Sequence, residues 1–194
     1  GLGRMVGHPG IQAAVTPDKP AYGLARSGDV VTYRQLNERS NRCAHLLRSR
    51  GVMRGAAIAL FQVNDRHYHE PCWAAERSGL YYTPLSTHLT ADEIEYIARD
   101  CGAEVLIASF ELADVAAALV GRLPRVHSWL MIGGTAAGFE SYEEALEGHP
   151  VTPVPDESPG QDMLYSSGTT GYPKGIRLPL PDRGMEAPPP LVAG

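Results

Sequence analysis

Hydrophobic positions change their spacing along the chain, and this change predicts a sheet with helices packed against it. Between Tyr33 and Leu47, apolar and small residues recur at helical spacing, and Gly51 follows as a helix stop. Residues 57–61 are apolar throughout and too few for a helix, so they predict a buried strand. Alternating helices and strands are typical of a largely parallel α/β sheet with flanking helices, which is the fold class that we predict.

Two capping boxes indicate where helices begin. Thr32 is followed three residues later by Gln35, and Thr90 is followed three residues later by Glu93. In each pair the hydroxyl and the longer side chain can exchange hydrogen bonds with the first turn of a helix. The second helix is expected to end near Gly102.

The same patterns predict the remaining elements. Strands are expected at residues 80–83, 104–108, 126–132 and 163–165, and helices at 66–78 and 111–121. Residues 148–160 are rich in proline and acidic side chains, so a surface connection is expected there.

Length and composition are those of a soluble domain. The 194 residues can bury a core, and 43% of them are hydrophobic and 20% charged. The formal net charge of −5 argues against a nucleic-acid partner. No apolar run approaches the ~20 residues that span a bilayer, and no secretory leader is visible, so no transmembrane segment is expected.

Three cysteines, at positions 43, 72 and 101, lie far apart on predicted helices. Their odd number and the absence of a Cys-x-x-Cys pair argue against a disulfide framework or a zinc site, and favour the reducing cytoplasm. A reactive cysteine has no adjacent histidine or basic residue in the sequence to support it.

Two other segments contain residue types that are found in metal or nucleotide sites. His67 and His69 with Glu70 could suggest a metal site, but residues two apart on a helix point to different faces, so a helix start capped by Asp65 is favoured. Residues 133–138 are glycine-rich but contain no lysine, and they are predicted to form a plain loop.

The most informative segment is residues 166–175, in which four Ser/Thr hydroxyls, three glycines and one lysine occur within ten residues. Hydroxyls and exposed amides donate hydrogen bonds, and a lysine adds positive charge, which together suit a polyphosphate. We therefore expect a phosphate site formed by Ser166, Ser167, Gly168, Thr169, Thr170, Gly171 and Lys174. The alternative is a flexible loop that binds nothing, because serine, threonine and glycine are also common turn residues.

This segment resembles the phosphate-binding signature of the adenylate-forming (AMP-binding) superfamily, and the resemblance extends from about Pro17 to Gly175. Further segments resemble that family in the same order: Asp18-Lys19-Pro20-Ala21, Thr32-Tyr33-Arg34-Gln35-Leu36, Asn41-Arg42, Gly51-Val52, Pro84-Leu85, residues 93–97 and residues 102–107. The sequences of residues 81–85 and 174–181 resemble bacterial fatty acyl-CoA synthetases more than the other branches of the family.

The resemblance implies an ATP-dependent acid–thiol ligase, with ATP, a fatty or other carboxylic acid and coenzyme A as substrates and Mg²⁺ as the metal. It assigns Lys174 a catalytic role near the β and γ phosphates. It also implies that residues 1–178 are the amino-terminal portion of the large domain. Residues 179–194 are then a poorly ordered Pro/Gly-rich tail, and the family's carboxy-terminal domain has no counterpart here.

Several alternatives stay open at this point. The fragment would be inactive alone, or it would be a non-catalytic phosphate-binding module. An aryl-acid or amino-acid adenylating enzyme is the alternative within the same family. The oligomeric state, including a homo-oligomer, is also open.

Overall fold

The computed structural model describes residues 8–25, 27–166 and 174–181. The helices are α1 (Pro9–Val15), α2 (Tyr33–Ser49), α3 (His69–Ser78), α4 (Ala91–Cys101), α5 (Ala113–Ala117) and α6 (Tyr142–Leu146). The strands are β1 (Pro20–Gly23), β2 (Val30–Thr32), β3 (Ala57–Phe61), β4 (Tyr81–Pro84), β5 (Ala103–Ser109), β6 (Ser128–Ile132), β7 (Glu140–Ser141), β8 (Gln161–Asp162), β9 (Tyr165–Ser166) and β10 (Lys174–Gly175).

Six strands form a parallel sheet in the order β7-β6-β5-β3-β4-β8. Every residue of β3 is buried, because this strand lies inside the sheet and both faces are covered. One core includes Ile58 and Leu60 of β3, and the other includes Ala59 and Phe61. The predicted α/β class is confirmed, and double burial explains why this strand reads as a continuous apolar run.

Both capping boxes are present. The Gln35 amide donates to the Thr32 hydroxyl at 3.2 Å, and the Thr32 amide donates to Gln35 Oε1 at 3.0 Å. The pair Thr90 and Glu93 makes the equivalent bonds at 3.2 and 3.1 Å. Gly102 ends α4 in the left-handed conformation, so both ends of this helix are fixed.

Two predicted helices differ from the observed ones. The helix predicted at 66–78 begins at His69, because Asp65 accepts a hydrogen bond from the His67 amide at 2.8 Å and closes a preceding turn instead of capping the helix. The helix predicted at 111–121 is a short 3₁₀ turn followed by α5. Leu112, at the N-cap of α5, offers no side-chain acceptor to the first turn. After Ala117, hydrogen bonds join residues three apart, such as the Leu119 amide and the Ala116 carbonyl, so the α-helix ends early.

Several elements were missed by the sequence patterns. These are α1, the antiparallel pair β1–β2, the two-residue strands β7, β8 and β10, and helix α6. Helix α6 had a recognisable signal, because Ser141 accepts a hydrogen bond from the Glu144 amide at 3.2 Å in a Ser-x-x-Glu sequence. The other missed segments have too few residues to show a period.

The connection at residues 148–160 forms no helix or strand, as predicted, but it is tied to α2 and α3. Asn41 donates to the Val151 carbonyl at 2.7 Å, and Arg48 pairs with Asp156. Near its end, a Cβ atom on Gly160 would lie 2.3 Å from the Ala75 carbonyl oxygen. Only glycine therefore allows the chain to pass this closely to α3 on its way to β8.

A buried arginine connects this segment with two helices. Arg77 of α3 is 1% exposed, and its Nε donates to Glu157 at 2.6 Å. Its Nη1 donates to the Asn37 side chain at 2.7 Å and to the Ser40 hydroxyl at 3.2 Å. The guanidinium is therefore compensated on several sides, which a buried cation requires.

Glu76 of α3 makes the stability of the fold depend on pH. Burial raises the pKa of its carboxyl to about 7; the hydrogen bond from Tyr82 opposes this rise, and Asp162 adds to it. Because this value lies above the unfolded value of 4.5, the folded state binds the proton more tightly. The free energy of unfolding therefore falls as the pH rises between 4.5 and about 7.

Replacing Glu76 with glutamine is expected to stabilise the protein at alkaline pH. The amide carries no charge to desolvate and still accepts from Tyr82, so the free energy of unfolding at about pH 8 should rise by roughly 1–3 kcal/mol. Urea unfolding at about pH 8 and about pH 4 measures this change, and the gain should vanish at the lower pH. Exposed Glu147 provides the control, as Glu147→Gln. A gain of equal size at both pH values would contradict the assignment.

Candidate functional site

Two of the predicted phosphate-site residues face each other on a short antiparallel hairpin. Ser166 of β9 pairs in register with Lys174 of β10, and Tyr165 pairs with Gly175. The other predicted site residues, Ser167, Gly168, Thr169, Thr170 and Gly171, lie outside the described residues. The strand predicted at 163–165 is placed wrongly, because Met163 and Leu164 precede β9 and only Tyr165 belongs to it.

The hairpin follows directly from the carboxyl end of β8. This strand is parallel to β4, and the chain then continues with Met163, whose amide donates to the Tyr82 carbonyl at 2.8 Å. Strand β8 pairs with the first two residues of β4, so the hairpin lies close to the end of the sheet where β4 begins and α4 ends.

The two described site residues are open to solvent. Both Ser166 and Lys174 are exposed, and among the described residues the Lys174 ammonium has no ion-pair partner. An ammonium already neutralised by a carboxylate would attract an anion only weakly. Lys174 is thus available for an anionic ligand.

Tyr165 attaches the first strand of the hairpin to α4. Its hydroxyl donates to the carboxylate of Asp100, in the last turn of that helix. Burial, followed by this hydrogen bond, raises the pKa of Tyr165 well above its ordinary value, so the phenol keeps its proton. A Cβ atom on Gly175 would lie 2.5 Å from the Tyr165 ring, which shows that the ring lies directly over the second strand.

Arg177 attaches the other side of the hairpin to the same end of α4. Its Nη2 donates to the Cys101 carbonyl at 3.3 Å, and its guanidinium lies 4.5 Å from the centre of the Tyr81 ring. The Tyr81 hydroxyl in turn donates to the Leu178 carbonyl at 2.6 Å. A cation is favourable at a helix C-terminus and over an aromatic face, so both contacts stabilise this arrangement.

A second polar cluster lies after β3 and includes His67 and Glu70, which were weighed in the sequence as a possible metal site and set aside. Buried Glu70 accepts from Arg39 Nε at 2.7 Å and lies 2.6 Å from His67 Nδ1, while its Oε1 is 3.4 Å from the Tyr142 hydroxyl. Its oxygens are engaged by side chains of α2, of the turn before α3 and of α6. Within the described ranges, no three His, Cys, Asp or Glu side chains are grouped so as to hold a metal ion.

The glycine-rich residues 133–138 form the loop that was predicted. The Gly133 amide donates to Glu143 Oε1 at 2.8 Å, so it is already occupied by a carboxylate of the protein. This arrangement would repel a phosphate rather than bind one. The loop links β6 with β7.

The three cysteines are buried and form no disulfide with one another, and they lie on α2, α3 and α4, where helices were predicted. Burial raises the pKa of each thiol, to about 12 at Cys43. A thiol that keeps its proton is a poor nucleophile, so these residues belong to the core rather than to a reactive site. In the described parts of the chain, no helix has the length and apolarity required to cross a membrane.

Comparison with known proteins places the chain among relatives of one family. Residues 11–180 match the family described as AMP-binding enzyme. The fatty acid–[acyl-carrier-protein] ligase ScoC of Streptomyces coeruleorubidus is 31% identical over 180 residues, covering 88% of this chain and 34% of that protein. The long-chain-fatty-acid–CoA ligase FadD13 of Mycobacterium tuberculosis is 32% identical over 172 residues, covering 85% and 33%.

A solved structure has the same fold. The anthranilate CoA ligase AuaEII, in complex with anthranoyl-AMP, superimposes with a TM-score of 0.75 and 27% identity, covering 88% of this chain and 34% of that chain. The chain thus spans about a third of the length of the curated relatives that it matches.

Proposed function

Because the chain belongs to the family of AMP-binding enzymes, we propose that it forms the phosphate-binding part of an ATP-dependent acid–thiol ligase. The observation that carries this proposal is the hairpin, which pairs exposed Lys174 in register with exposed Ser166 next to the carboxyl end of α4. The donor-rich residues between them complete the proposed site in the sequence: Ser167, Gly168, Thr169, Thr170 and Gly171.

The proposed reaction has two steps. A carboxylate oxygen of the acid attacks the α-phosphorus of ATP, and the bond to the bridging oxygen breaks, which releases pyrophosphate and leaves an acyl adenylate. The thiol of coenzyme A then attacks the acyl carbonyl, its proton is lost, and AMP leaves as the thioester forms.

Lys174 is proposed to act in the first step. Negative charge grows on the leaving pyrophosphate as its bond breaks, and a positive charge already in place stabilises that change. Ser166 would donate a hydrogen bond to the same group from its hydroxyl. Among the described residues, no three His, Cys, Asp or Glu side chains are grouped so as to hold a metal ion such as Mg²⁺.

We propose a fatty acid as the acid substrate, because two of the relatives are named as fatty acid ligases. An aryl acid is the alternative, which the structural similarity to an anthranilate ligase supports. The thiol acceptor is proposed to be coenzyme A, although the fatty-acid relatives are named for two different acceptors, coenzyme A and acyl-carrier protein.

A binding measurement tests the phosphate site independently of turnover. The sequence contains only two lysines, Lys19 and Lys174, and both are exposed. ATP or pyrophosphate should slow acetylation of Lys174 by an amine reagent and leave Lys19 unchanged, as measured by peptide mass spectrometry. Equal labelling of both lysines with and without ATP would contradict the proposal.

Exchange of labelled pyrophosphate into ATP tests the enzymatic part in the complete protein that carries these residues. Exchange should depend on the acid, and a panel of fatty, aryl and amino acids identifies which acid class supports it. Protection of Lys174 without exchange for any acid would favour the non-catalytic phosphate-binding module.

A further inference from the structure

We propose that Tyr165, Asp100, Arg177 and Tyr81 form a clamp that positions Ser166 and Lys174 for ATP. The clamp rests on the proposed function, since its effect is exerted through Lys174. The four clamp residues, and Ser166 and Lys174 that they position, all lie in the part of the chain that the structure describes. None of the four is assigned a contact with the nucleotide, so they are positioning residues rather than catalytic ones.

The hairpin needs external support to hold its register. Each of its strands contains two residues, and an isolated two-stranded hairpin is at best marginally stable in water. The strand pairing alone therefore cannot fix the Lys174 backbone opposite Ser166. The contacts that leave the hairpin must supply the remaining order.

Those contacts converge on the carboxyl end of α4 from both strands. On the β9 side, Tyr165 reaches Asp100 with its hydroxyl. On the β10 side, Arg177 reaches the Cys101 carbonyl, which belongs to the next residue of the same helix. Because the two attachment points are adjacent, the clamp fixes one strand relative to the other and not only relative to the sheet.

The support itself is rigid. Helix α4 has a capping box at Thr90 and a left-handed glycine at 102, so neither end is free to unwind. Tyr81 lies in β4, a strand of the parallel sheet, and holds the Leu178 carbonyl. Helix and sheet thus both fix the chain after Lys174.

Gly175 links the clamp to the position of Lys174. The Tyr165 ring occupies the space where a side chain at residue 175 would begin. A methyl group there would push the ring aside and separate its hydroxyl from Asp100. The neighbour of the lysine and the clamp tyrosine therefore constrain each other.

The test compares variants of Tyr165 and Asp100 in the complete protein. Tyr165→Phe and Asp100→Ala remove a hydrogen bond to a charged group and should each raise the Kd of ATP about tenfold. Asp100→Asn keeps an oxygen acceptor for the tyrosine hydroxyl and should restore most of the affinity. Tyr22→Phe is the matched control, because it also loses a hydroxyl bond, to the Arg66 carbonyl, but outside the hairpin.

A second readout does not depend on the ligand. Hydrogen exchange of the peptide 174–181 should accelerate in Tyr165→Phe and in Gly175→Ala, while exchange of β3 stays unchanged. Unchanged exchange in this peptide would overturn the clamp, and so would accelerated exchange with wild-type affinity for ATP. A wild-type protein that fails to bind ATP would instead overturn the proposed function, and the positioning role with it.

Discussion

Replacing Arg77 with alanine is expected to lower the free energy of unfolding by about 3–5 kcal/mol. The arginine is 1% exposed, and its removal leaves Glu157 without its closest cation and Asn37 without a hydrogen-bond donor. A buried charge that loses its partner keeps its desolvation cost and loses the compensating attraction. Urea unfolding, followed by circular dichroism, measures the change.

The control for this prediction removes both charges. In Arg77→Met/Glu157→Gln no ion is left unpaired, so the double variant should lose less stability than the sum of the losses in Arg77→Met and Glu157→Gln. The single variant Glu157→Gln also leaves the arginine only partly compensated. A loss below about 1 kcal/mol in Arg77→Ala would show that the pair contributes no more than a surface ion pair.

Replacing Lys174 with alanine is expected to slow ATP–pyrophosphate exchange at least tenfold. Removal of one donor that stabilises developing charge costs on the order of 3 kcal/mol in other enzymes, and an exposed lysine, which water screens, is expected to contribute less. Because the side chain is exposed and makes no ion pair with described residues, its removal should leave the thermal midpoint of unfolding unchanged. A loss of exchange with retained stability would therefore report on chemistry.

The chain provides its own control for this variant. Lys19→Ala removes the only other lysine, which is also exposed, and should leave exchange unaffected. Lys174→Arg retains the charge but changes its shape and should lie between the wild type and alanine. Wild-type exchange in Lys174→Ala would refute the role proposed for this residue.

The interior of the sheet could be predicted because its signals are local. Strand β3 is buried on both faces and therefore apolar at every position, and the helices α2 and α4 carry complete capping boxes. Each of these signals lies within a few residues of the element that it defines. Helix α3 began later than predicted because the side chain of Asp65 fitted a turn as well as a helix cap.

For the site, the sequence indicated only that many hydrogen-bond donors and one positive charge occur within a short segment. Serine, threonine, glycine and lysine in residues 166–175 indicated the chemistry, but nothing in that segment indicated what holds it. Tyr165 and Asp100 are 65 residues apart, and Arg177 and Cys101 are 76 apart. Such contacts depend on the strand order, which places β8 next to β4 and so brings the hairpin to α4.

The strand order also bears on when each part of the molecule can form during synthesis. Strands β4, β3 and β5 are neighbours in the sheet and come from residues 57–109, so they can associate while most of the later chain is still being made. Strand β8 can add to this nucleus only after residue 162 has left the ribosome. The hairpin is therefore expected to take its place after β3, β4 and β5 have associated, and to dock on strands that formed earlier.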